Sequence, residues 1–180
     1  MNPSMFLPGL FVAACLAACD DSRVVGDEDT QFFSVPLGST FALNREITIQ
    51  PHQTSVYLQN GKILLARNVD FYRPHCKFEL FTISDQARVV APDIFVVTRI
   101  VDRREDVSVR WPLYASLSLT GGNGPMHLTY STTMYLDSKQ QPDVFRMNCK
   151  QWDWINIGEF LSISEMRQSL GDYFTLTLAE

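Results

Sequence analysis

The feature that most constrains this chain is a two-residue alternation of apolar and polar side chains, repeated in short runs from Phe32 onward. A period of two puts successive side chains on opposite faces of an extended backbone, so each run describes a strand with one face turned to a core. Phe33, Val35 and Leu37 alternate until Gly38, and Phe41, Leu43, Ile47 and Ile49 continue the pattern to Pro51. Asn60-Gly61, set between the runs Val56–Gln59 and Lys62–Leu65, predicts a hairpin with a two-residue type I′ turn, in which both central residues need positive φ. Cys76, Phe78 and Leu80 share one face, with Lys77 and Glu79 opposite. Leu128, Tyr130, Thr132, Met134 and Leu136 oppose Thr129, Ser131 and Thr133, and Phe145, Met147 and Cys149 oppose Arg146 and Asn148. The stretch from Asp93 to Val101 is almost continuously apolar, which predicts a strand buried on both faces. Val107, Val109 and Trp111, then Ala115, Leu117 and Leu119, extend the alternation to a turn at Gly121–Pro125, and Tyr173 to Leu178 closes it.

One segment departs from this period. Ser162-Ile163-Ser164-Glu165 has the capping-box pattern, in which Ser162 caps the first turn and Glu165 reaches back to it. Ile163, Met166 and Leu170 then follow helical spacing and Gly171 supplies the stop. The expected fold is therefore mainly β: a single antiparallel β-sandwich or partly open barrel with one short C-terminal helix over about residues 163–170. Nearly half of the side chains are apolar, enough for one packed core in a chain of this length. The formal net charge of −5 argues against nucleic acid as a partner, because duplex binding needs a basic face to neutralise phosphates.

The N-terminal segment is of another kind. Met5 to Ala18 is a short apolar run ending in small residues, too short for a permanent membrane-spanning helix of about 20 residues. Its last residues and the one after it, Leu16-Ala17-Ala18-Cys19, resemble the lipobox of bacterial lipoproteins, where cleavage precedes a cysteine that then carries lipid. No Lys or Arg precedes the apolar run, unlike most signal peptides, and Val12-Ala13-Ala14-Cys15 is a second candidate box. Cys19 is preferred because it leaves the longer apolar region and is followed at once by Asp20-Asp21-Ser22-Arg23. The resemblance implies three parts: a signal peptide at residues 1–18, a lipidated cysteine with an acidic tether at 19–31, and one β-rich extracytoplasmic domain at 32–180. The membrane is then contacted through the lipid anchor, since the tether is acidic and lacks polybasic attraction. Asp20, directly after Cys19, resembles the inner-membrane retention signal of enterobacterial lipoproteins, with the outer membrane as the alternative.

Assigning Cys15 to the signal and Cys19 to lipid leaves Cys76 and Cys149 in the mature body. In an oxidising compartment two such cysteines form a disulfide, and each lies on the apolar side of its own strand. Two buried free thiols are the alternative.

Candidate chemistry is sparse. The three histidines, His52, His75 and His127, match no metal template, although His75-Cys76 and Met126-His127 with Met147 near Cys149 suggest a soft copper site as an alternative. No Gly-x-Ser-x-Gly elbow occurs, and the carboxylates Asp102, Glu105 and Asp106 are interleaved with Arg99, Arg103 and Arg104 as in a solvated, salt-bridged turn. No cofactor and no catalytic residue is assigned. Trp152 and Trp154 share a face if extended; they form either a stacking platform or a cover packed over the disulfide, as in immunoglobulin-like domains. Arg99, Arg103, Arg104, Trp152 and Trp154 are the candidate contacts to a partner. The sequence thus reads as a membrane-anchored envelope lipoprotein acting as a non-catalytic binding or accessory module with a protein partner. The competing reading is a periplasmic copper-handling protein or hydrolase using the His75 and Trp152 region.

Overall fold

The computed structural model describes residues 29–30, 33–107, 127–154 and 158–180. The leader, Cys19, Trp111 and the turn at Gly121–Pro125 lie outside the described residues. In chain order the elements are β1 (Thr40–Leu43), β2 (Ile47–Ile49), β3 (Ser55–Gln59), β4 (Lys62–Leu64), β5 (His75–Leu80), β6 (Arg88–Val90), β7 (Ile94–Asp106), β8 (His127–Asp137), β9 (Val144–Trp154), α1 (Ile163–Leu170) and β10 (Phe174–Thr177).

Eight strands form one antiparallel half-barrel in the order β10-β1-β7-β8-β9-β5-β3-β4, while β2 and β6 pair as a separate ribbon. The expected partly open barrel is thus the observed form, and one α-helix accompanies it among the described residues. The alternation of the sequence explains why the sheet curls around a core. The inward residues Phe41, Leu58, Phe78, Phe95, Met134 and Met147 are fully buried, and Ile163, Met166 and Leu170 of α1 join them. The helix packs against β3, β5 and β10 and so bridges strands from both ends of the sheet order. Ile47, Ile49 and Val90 extend the same core into the two-stranded ribbon.

Local signals hold where chemistry is local. Asn60 and Gly61 have φ of 50° and 68°, the positive pair that a type I′ turn demands, between β3 and β4. The Ser162 hydroxyl accepts the Glu165 backbone N–H, and the Glu165 carboxylate accepts the Ser162 backbone N–H, so the capping box is complete.

Two expectations are corrected. The strand reaching Val101 is buried on one face only: Phe95 and Val97 point inward, but Ile94 is 60% and Val96 41% exposed. Among the described residues the helix lies on the inward side alone, and the outward Ile94 and Val96 stay in solvent. Among the described residues Phe33–Pro36 pairs with no strand either; Val35 enters the core from an irregular segment, and Leu37 is exposed.

Candidate functional site

The outward face of β7, β8, β9 and β5 carries the groups with chemical potential. Antiparallel register places them in rows across the four strands. Arg99, Tyr135, Arg146 and Glu79 make one row, and Val101, Thr133, Asn148 and Lys77 the next. Arg103, Ser131, Lys150 and His75 form the third, and Glu105, Thr129 and Trp152 the fourth. A basin of about 180 Å³ opens over the first three strands of this grid, lined by Arg103, Glu105, Ser131, Thr133, Arg146 and Lys150 among others.

Glu79 is only 6% exposed and is held between Lys77 and the Arg146 Nε–H, which donates to its carboxylate. Burial pushes its carboxyl pKa up, but the hydrogen bonds and charges of Lys77 and Arg146 outweigh that and hold it below the ordinary value. Arg99 lies over the Tyr135 ring, 3.7 Å from its centroid. The Asn148 amide donates to the Thr133 hydroxyl at 2.5 Å, which leaves its Oδ1 buried and unpartnered. Lys150 forms no ion pair among the described residues. Burial draws its pKa down and the positive charge of Lys77 adds to the effect.

Beside the basin stands an aromatic cluster. Trp152 stacks on Phe71 at 4.8 Å, Tyr72 meets it edge-on, and Phe71 in turn packs edge-on against His75. His75 is fully buried, its Nδ1 2.9 Å from the Arg73 carbonyl and its Nε2 unpartnered. Burial lowers its pKa more than the Arg73 carbonyl raises it, which favours the neutral ring. Gln59 anchors the segment that carries Phe71: its side chain donates to the Asp70 carbonyl at 2.8 Å and accepts the Asp70 N–H.

Cys76 and Cys149 are bonded as expected, on neighbouring strands and facing inward. The tryptophans do not pack over that bridge. Trp152 lies three residues beyond Cys149 on a strand of regular register, so alternation sends it to the opposite, outward face. Trp154 shares that face and is half exposed. The arginine run is likewise a strand and not a turn, because β8 pairs with it throughout. Alternation then splits the arginines: Arg99 and Arg103 face outward with the tryptophans, and Arg104 points to the other side beside Asp102 and Asp106.

The sequence missed Lys150 as a site residue and did not connect Arg146 and Asn148 with Ser131 and Thr133. The polar side of each strand was readable; that these sides adjoin was not, because strand order is a long-range property. The second reading, centred on His75 and Trp152, finds less to build on. Its two cysteines are bonded to each other, and no cluster of three His, Cys, Asp or Glu side chains forms among the described residues. No known family model, curated protein or solved structure matches the chain.

Proposed function

We propose that this protein is a lipid-anchored component of the bacterial envelope, held through Cys19, that acts as a non-catalytic binding or accessory module through its outward sheet face. One observation carries the binding reading. On a face against which no helix packs among the described residues, polar side chains from three strands converge on a basin, and Ser131 and Thr133 are nonetheless 6% and 5% exposed. Groups held in this way are preorganised for contact, since their rotamers are restricted before any partner arrives. The anchoring reading is supported by the Leu16-Ala17-Ala18-Cys19 resemblance and by the disulfide, which suits an oxidising compartment.

The test is in-cell crosslinking from a photoreactive residue at Thr129, in the lining of the basin, with Arg45, on the segment after β1, as the control. The expected result is a specific adduct in the membrane fraction from Thr129 and none from Arg45. Recovery of monomer alone from both positions, together with a measurable turnover activity, overturns the proposal. Metabolic labelling with a fatty acid tests the anchor, and the Cys19→Ser chain is expected to lose the label.

A further inference from the structure

We propose that the basin binds a phosphate group, held between Arg103 and Lys150 over the Ser131 hydroxyl. This deepens the binding-module reading and rests on it.

The argument begins with charge. The protein as a whole is acidic at −5, yet the basin gathers Arg103, Arg146 and Lys150 against Glu105 alone. Glu79 next to it is paired with Lys77 and Arg146, and its charge and that of Glu105 offset only part of what burial and Lys77 do to Lys150. A local excess of cations in an acidic chain makes a positive potential that concentrates anions there. Lys150 shows this most clearly. It sits in the register row between Ser131 and His75, and no carboxylate stands within ion-pair distance of it among the described residues, Glu79 and Glu105 acting on it only from farther away. Arg103 occupies the same row on the far side of Ser131, and its contact with Glu105 is a loose 3.6 Å.

Donor geometry then selects the anion. Arg103 comes from β7, Ser131 from β8 and Lys150 from β9, so donors from three neighbouring strands stand in one row and reach different oxygens of one tetrahedral group, the Ser131 hydroxyl turning to it from the Arg103 carbonyl, to which it donates at a long 3.4 Å. Asn148 adds a fourth. Turning its amide end over keeps the contact with Thr133, whose hydroxyl then donates, and converts the buried unpartnered oxygen into an N–H donor. The basin volume of about 180 Å³ corresponds to about six waters at liquid density, room for a phosphate group with its residual hydration. The group can be free phosphate or the headgroup of a lipid, and the chemistry recognised is the same.

The test uses the full chain carrying Cys19→Ser, which bears no lipid. Inorganic phosphate is titrated at constant ionic strength while side-chain NMR signals of Asn148 and of the lysine ammonium groups are followed. The expected result is a saturable response that becomes about tenfold weaker in Lys150→Gln and in Arg103→Gln, the loss of one charge-assisted hydrogen bond each. Arg104→Gln, on the opposite face of β7, is expected to bind as the parent does. A parallel arm measures co-sedimentation with vesicles of phosphatidylglycerol in phosphatidylcholine. Vesicle binding lost in Lys150→Gln, without a response to inorganic phosphate, identifies the lipid headgroup as the source. No response in either arm, or an equal response in Lys150→Gln with its melting temperature unchanged, overturns the phosphate site. Crosslinking from Thr129 that persists in that case leaves the binding module standing with another ligand, so the two failures are distinguishable.

Discussion

Gly61 and Gly171 touch backbone to backbone, joining the turn of the β3–β4 hairpin to the C-terminus of α1. The Gly61 N–H donates to the Ser169 carbonyl at 3.1 Å, and Gly171 has a φ of 54°. Hairpin and helix come from distant parts of the chain, and their contact helps to seat α1 on the core.

Gly171→Ala is accordingly expected to destabilise the fold severely. Its Cβ would stand 2.3 Å from the Gly61 Cα, a backbone atom that cannot swing away, and the left-handed φ adds strain. The sum is about 2–4 kcal/mol. Gly61→Ala should cost less, since its Cβ meets Gly171 Cα at 3.2 Å. Denaturant midpoints of the two variants check the order, and equal midpoints would contradict the contact.

The Cys76–Cys149 bridge closes a separation of 73 residues with Cα atoms 4.0 Å apart. Constraining a loop of that length in the unfolded chain contributes about 4 kcal/mol in the chain-entropy account. The Cys76→Ala, Cys149→Ala double variant is expected to melt well below the parent in oxidising buffer, and at a temperature that added reductant does not change. Both sulfurs are buried, so reduction of the native parent should be slow and should accelerate once denaturant opens the sheet.

Acid should weaken the protein in two steps of the same sign. His75 has a folded pKa below its ordinary 6.5, because burial penalises the charged ring. The unfolded chain binds that proton more readily, so the stability His75 contributes is complete above about pH 6.5 and is lost as the pH falls toward the depressed folded value. Glu79 is also depressed, below 4.5, because Lys77 and Arg146 outweigh its burial. Its contribution is complete above that value and is lost as the pH falls through the folded pKa. Unfolding free energies at about pH 7.5, 5.5 and 3.5 should fall in sequence. In His75→Phe the upper step should vanish and the lower one remain; persistence of the upper step would assign it to another group.

Ser162→Ala removes the hydroxyl that accepts the Glu165 N–H and is expected to cost about 1 kcal/mol. Glu165→Ala should cost a similar or smaller amount, and the double variant less than the sum, because the two side chains cap reciprocally. Thermal melts of the three variants measure the coupling.

What the sequence by itself determined are features set by neighbours in the chain. Alternation marked the strands around Phe78, Met134 and Met147, Asn60-Gly61 specified its turn, and Ser162 with Glu165 placed the helix. Each depends on a few consecutive residues whose backbone preferences and hydrogen bonds are local. Alternation also assigned Cys76 and Cys149 to apolar faces, which made their pairing readable. Only the tertiary structure decided which strands are neighbours. It put Arg146, Asn148 and Lys150 beside Ser131 and Thr133, left Ile94 and Val96 exposed, and sent Trp152 away from the disulfide. Strand order is chosen by burying the inward face as a whole, with α1 seated against β3, β5 and β10. The outward grid around Lys150 follows from that choice, and no local pattern encodes it.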